Sequence, residues 1–297
     1  MPNSPRMAAR LSGKVKQWGQ PFGNWWLSKP GNVRGAIWIL LAALFFSIGV
    51  VFIKDLGQRI HITQILFVRQ MVMLLTVMPI LISGFPLILK TNHFHIHMAR
   101  VFLALIAMLT GFSAVIHIPL AQATAALVGF VGILIMIRPD SDGLNGWAMA
   151  AVVGAAAAGM VMIILRYLSR FERPITILSY QAIFIGILVL PPALYYWKTP
   201  TAEEWVMLLL VGLTSLLGQW FNIRAFRVGE ATAIASLDYT RLLYATLFGA
   251  MFFSEWPTTE TFIGAGIIIA ASLYTVLREA QLGKKLARSA EGRGYNN

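Results

Sequence analysis

A chain of 297 residues that is 58% hydrophobic and only 12% charged is too apolar for a water-soluble fold of its size. With no cysteine, disulfides, thiolate catalysis, Cys-ligated zinc and iron–sulfur clusters are all excluded. A net charge of +12 would suit nucleic acid, but the 24 Lys and Arg gather in loops and tails beside apolar runs, which is a topology signal.

Residues 1–33 hold Arg6, Arg10, Lys14, Lys16 and Lys29 and no acid, the first acid in the chain being Asp55. This reads as a basic membrane-proximal tail with Trp18, Trp25 and Trp26 beside the lipid interface. It lacks the compact apolar core and small-residue cleavage site of a signal peptide, so it is expected to stay attached. Nine apolar segments follow, at about 35–53, 65–82, 101–120, 125–137, 147–165, 175–196, 205–223, 231–253 and 262–277. Backbone groups in lipid must be satisfied within each segment, and the pattern is too continuous for a barrel, so the fold class is all-α: a polytopic membrane helical bundle.

The two halves repeat one another. FSIGVVFIKDL (46–56) parallels AAGMVMIILRYL (157–168), matching Lys54 with Arg166. HITQILFVRQMVMLLTVMP (61–79) parallels PITILSYQAIFIGILVLP (174–191), and AQATA (121–125) parallels GEATA (229–233). Beyond that point the offset jumps, because VGFVGILIMIR ending at Arg138 matches IIIAASLYTVLR ending at Arg278. The first half therefore lacks one helix's worth of residues just after Ala125, the counterpart of the segment that carries Asp238 and Arg241. The resulting division is a basic tail (1–33), a truncated first repeat (34–140), a second repeat (141–280) and a basic tail (281–297).

Charge placement tests what the gap does. If two inverted repeats keep their parental orientation with both termini inside, only Lys54, Arg59, Arg138 and Lys198 fall outside, and Arg69 and Arg241 lie within spans. If all nine segments cross, the bias disappears. The positive-inside rule selects the first arrangement, in which the short Gly-containing segment 125–137 does not cross fully.

Polar groups inside apolar spans are the functional candidates, because a charge at the bilayer centre costs at least a few kcal/mol and faces a bundle interior or a watery cavity. Asp238 and Arg241 lie three apart and share a helix face, with Tyr239 beside them; they are either a structural ion pair or part of a substrate or ion pathway. Gln219, Trp220 and Asn222 interrupt an otherwise apolar eighth segment. Arg69 and Gln70 occupy positions equivalent by repeat to Tyr180 and Gln181, and Arg69 is near enough to a helix end to reach the interface instead. His117, near Ser113, is either a proton relay or a hydrogen-bonding packing residue. The motif HFHIH at 93–97 would align three histidines if extended, but no Cys or acid accompanies it, so a solvated loop is the reading and no metal site is assigned. Gly154, Gly159, Gly264 and Gly266 are read as close helix contacts. No Walker loop, dinucleotide fingerprint or nucleophile elbow is present.

Over about residues 34–280 the chain resembles the drug/metabolite transporter superfamily, EamA type. The resemblance rests on the duplicated five-helix pattern, Lys54 ending the first helix, Arg69 early in the second, the AQATA and GEATA steps, Glu255 after the Asp238 segment, and the closing GAGIIIAASLYTVLRE. SLDYTRLLYATLFGAMFFSEWPT is similar to the bacterial subset that includes riboflavin and S-adenosylmethionine importers, and other members export amino acids and metabolites. The resemblance implies two inverted EamA-type repeats, nine segments here where the family has ten, in a multi-pass bacterial inner-membrane protein. It implies a non-enzymatic carrier without cofactor, working by alternating access, with a small-molecule substrate and the lipid bilayer as partners, a homodimer as an option and no nucleic acid. The missing fourth helix lines the central cavity in the family, so the rival reading is a transport-deficient deletion product or a non-transporting membrane subunit.

Overall fold

The computed structural model describes residues 26, 28–117, 146–230, 234, 237–238 and 240–256. Among them are seven helices and no strand: α1 (Gly31–Leu56), α2 (Ile62–Ser83), α3 (Phe94–His117), α4 (Gly146–Phe171), α5 (Pro174–Tyr195), α6 (Ala202–Val228) and α7 (Thr240–Phe253). The first six are long and apolar enough to cross a membrane, and α7 is a shorter apolar helix. Segments 125–137 and 262–277, the AQATA step, Gly264 and Gly266 lie outside the described residues.

Helix starts follow from local chemistry. Thr201 opens α6 with a capping box: its hydroxyl accepts from the Glu204 N–H, and the Glu204 carboxylate accepts from the Thr201 N–H at 2.8 Å. Pro174 fills the first position of α5, where its missing N–H has no partner to lose. His93 accepts from Ile96 and His97 through its carbonyl, so HFHIH begins α3 instead of forming the solvated loop expected from the sequence. Residues two apart on a helix point to opposite sides; His95 is exposed while His97 is buried.

Packing pairs α1 with α6, α3 with α4, and α2 with α5. Exchanging α1 with α4, α2 with α5 and α3 with α6 turns the first pair into the second and the third into itself. The lesser contacts obey the same exchange, α2 on α6 answering α5 on α3, and α1 on α3 answering α4 on α6. The helix starts also tether matching connections. Gln64 of α2 donates to the Lys198 carbonyl at 2.7 Å and accepts from its N–H at 3.0 Å. From α5, Thr176 and Tyr180 donate to the carbonyls of Ile88 and Leu89, each at 2.9 Å.

Glycine admits two of these close approaches. A Cβ on Gly212 would lie 2.4 Å from Val72, and one on Gly218 would lie 2.9 Å from the Phe46 ring, so α6 could not sit this near α2 and α1 with larger residues. Gly154 likewise faces Thr110 and Gly111, as the sequence suggests, whereas Gly159 faces open space and is not a contact glycine.

Contacts sort the helix ends into two groups. At one end Lys54 pairs with Glu255, Gln58 donates to the Ile116 carbonyl at 3.0 Å, and Lys198 donates to the Arg59 carbonyl at 3.2 Å. At the other, Asn32 accepts from the Glu230 N–H at 2.8 Å and Thr91 hydrogen-bonds Glu172. Because α4 starts beside the later part of α3 and ends with Tyr167 and Phe171 against His93, the two run antiparallel. His117 and Gly146 therefore stand at the same end of the bundle.

Candidate functional site

The eighth apolar segment is α6, and its buried face carries Ser215, Gly218, Gln219 and Asn222, spaced by three and four residues. This stripe meets α2 and α5 at mid-depth. Arg69 donates from Nε to the Ser215 hydroxyl at 2.6 Å and from Nη1 to Gln70 Oε1 at 3.1 Å and to the Met108 sulfur at 3.2 Å. Gln70 donates from Nε2 to the Gln181 carbonyl at 2.9 Å, and Gln219 donates to Gln181 Oε1 at 3.2 Å. The result is one buried polar chain, Ser215–Arg69–Gln70–Gln181–Gln219, across three helices. Arg69 is 2% exposed, so it turns into the bundle and does not reach the interface.

On the opposite flank of the stripe, Arg241 Nε lies 2.7 Å from Asp238 Oδ1, one helical turn apart as their spacing requires. The Arg241 guanidinium sits 4.5 Å over the Phe46 ring, and Phe46 in turn fills the space beside Gly218. The ion pair thus lies against α1 and adjoins the α6 stripe through one aromatic ring. Neither residue faces outward: their side chains are 14% and 20% exposed. Tyr239, between them, lies outside the described residues.

The remaining sequence candidates are elsewhere. Tyr180 spends its hydroxyl on Leu89 and stacks on His97 at 4.3 Å and on Phe184 at 5.7 Å, so its faces are occupied at the end of the bundle. Trp220 lies 5.1 Å from the Arg224 guanidinium, away from the polar chain. Asn222 is 2% exposed and its Oδ1 has no partner among the described residues. His117 ends α3 on the exposed side, with Nδ1 2.7 Å from the Ser113 carbonyl. Sequence reasoning missed Ser215, passed over as part of an apolar run, although its four-residue spacing from Gln219 was a signal. It also placed Arg100 among the loop charges, whereas the side chain is 1% exposed within α3.

A bundle of helices long and apolar enough to cross a membrane, with a buried, charged hydrogen-bond chain at mid-depth, is the architecture of a multi-pass membrane protein. The EamA-like transporter family model matches residues 145–277, so over its second half the chain is similar to that family.

It is 26% identical over 275 aligned positions to the S-adenosylmethionine uptake transporter of Rickettsia prowazekii, covering 83% of this chain and 94% of that one. It is 26% identical over 264 positions to the riboflavin transporter of Brucella anthropi, covering 75% and 92%. It is 24% identical over 269 positions to the pseudopaline exporter CntI of Pseudomonas aeruginosa, covering 80% and 94%. A solved crystal structure superposes with a TM-score of 0.65 at 12% identity, covering 84% of this chain and 99% of that one, which establishes likeness of fold. The alignment with the Rickettsia protein is longer than 83% of 297 residues by roughly one membrane helix, so that relative holds positions this chain leaves unfilled.

Proposed function

We propose that the chain carries a small polar metabolite across the bacterial inner membrane by alternating access of two inverted repeats, residues 34–140 and 141–280, with both termini in the cytoplasm. The observation that carries this reading is the polar chain from Ser215 to Gln219, built where α2, α5 and α6 converge. Burying that many donors and acceptors gains little stability over apolar packing, so a polar guest is the economical reason for their presence. The Asp238–Arg241 pair adjoins the same stripe and supplies a second charged contact. Opening the ends in turn would break the Lys54–Glu255 contact on one side and the Thr91–Glu172 contact on the other.

The names of the relatives suggest S-adenosylmethionine and riboflavin as the first cargoes to test. Counterflow of each labelled compound into proteoliposomes holding the purified full chain is the direct assay. Flux of either in the wild type, reduced at least about tenfold in Gln219→Leu and Gln181→Leu, is the expected result. Undiminished flux in both variants would remove the polar chain from the pathway.

A second reading is favoured by one observation, the helix's worth of positions present in the Rickettsia relative and unfilled here. On that reading the chain is a transport-deficient membrane protein or a non-transporting subunit. It predicts a stably folded protein with no flux of any relative's cargo.

A further inference from the structure

Buried positive charge among the described residues exceeds the negative charge that faces it. Five of the described acids have partners: Asp238 meets Arg241, Glu255 meets Lys54, Asp55 meets Arg59, Glu172 lies 4.0 Å from His97 and accepts from Thr91, and Glu204 closes the capping box of α6, while Glu203 and Glu230 are exposed. Arg69 belongs to none of these pairs. Its three acceptors, Ser215 Oγ, Gln70 Oε1 and Met108 Sδ, are all neutral. Arg100, two turns before Met108 on α3, is 1% exposed, with an Nε that has no acceptor among the described residues.

Neutral acceptors occupy N–H groups without cancelling the charge. A guanidinium held in the interior of a membrane bundle at 2% exposure therefore keeps most of its desolvation cost, and a neutral side chain there would fold more easily. The planar fork of Arg matches a carboxylate edge-on, giving two parallel charge-assisted bonds. Ser215, which accepts from Arg69 Nε, has an O–H with no acceptor among the described residues, able to donate to the same carboxylate.

We infer that Arg69 is the anchor for a carboxylate of the transported molecule, with Ser215 as its second donor, so the substrate class is a carboxylate-bearing metabolite and not an uncharged flavin. This rests on the transport reading given above. S-adenosylmethionine, with its amino-acid head group, fits that class, and riboflavin does not. In the present conformation Arg69 is sealed, so the carboxylate reaches it only when the contact between α2 and α6 parts.

The test uses the full chain in proteoliposomes, with labelled S-adenosylmethionine and labelled riboflavin as the two probes. Wild type is expected to exchange S-adenosylmethionine and to discriminate about 10- to 100-fold against its carboxyl methyl ester as competitor. Arg69→Gln is expected to lose both the flux and the discrimination, and Arg69→Lys to recover part of each. The substrate-free melting temperature of Arg69→Gln should be no lower than that of wild type, because an uncancelled buried charge has been removed. A fall of more than about 5 °C would make Arg69 a structural bolt and overturn the assignment. Riboflavin flux without S-adenosylmethionine flux, or normal S-adenosylmethionine flux in Arg69→Gln, overturns the assignment while leaving transport intact. Absence of both fluxes from the wild type overturns the transport reading and this assignment with it.

Discussion

Gln70 hydrogen-bonds the carbonyl of Gln181 at 2.9 Å, joining two residues that hold matching positions in FVRQ of α2 and LSYQ of α5. Both side chains are fully buried where the two helices cross. A pair of equivalent residues can meet directly only beside the axis that relates their repeats, so this contact marks the centre of the bundle. Gln70→Leu is expected to lower stability by about 1–2 kcal/mol, since it removes both this bond and an acceptor of Arg69. Thermal melting in detergent would detect the loss, and an unchanged transition would show that the crossing does not depend on it.

Asp238 and Arg241 neutralise each other at 2.7 Å in a largely enclosed site. Removing one partner leaves the other charged and desolvated, so Asp238→Asn and Arg241→Gln should each destabilise by about 3 kcal/mol, and the double variant by clearly less than their sum. A double-mutant cycle on unfolding free energies measures this directly. Additive losses would mean the two groups do not interact.

Lys54 and Glu255 link the end of α1 to the residue two beyond α7, although 201 positions separate them in sequence. Since the chain has no cysteine, Lys54→Cys with Glu255→Cys gives one defined site for a short bis-maleimide. Cross-linking should arrest counterflow by at least about tenfold if this end must open in the transport cycle. Full activity of the cross-linked protein would place the moving contact elsewhere.

His117 and Gly146 stand at the same end of the bundle, as the charge bias requires if segment 125–137 does not cross. Reporter fusions after Asp140 and after Arg173 should therefore report the outer and inner sides, respectively. An outer location for the second would mean that everything after the gap is inverted.

Much of the site could be read from residue type alone. Asp238 and Arg241 stood out because ionised groups are costly in an apolar run, and their three-residue spacing already implied the observed ion pair. Gln219 stood out as a polar group in an apolar run and Gln181 as the repeat equivalent of Gln70, and the structure joins them. Tyr180 and Trp220 did not enter the polar chain, because an aromatic residue's type leaves open which neighbour it faces; here those neighbours are His97 and Arg224. Ser215 was overlooked because a single hydroxyl hardly alters the polarity of a segment, yet it lies one turn before Gln219 on the same helix face.

The sequence by itself determined that the chain is an all-helical membrane bundle, that its halves repeat, and which buried groups are chemically costly. Those properties depend on composition and on local spacing along one helix. Only the tertiary structure decided that Arg69 faces Ser215 and Met108 with no carboxylate beside it among the described residues, that Gln70 meets Gln181, and that His97 and Arg100 turn inward. The direction a side chain takes across a helix interface depends on how closely neighbouring backbones approach. That distance was fixed by glycines such as Gly212 and Gly218, whose partners, Val72 and Phe46, are far away in the chain.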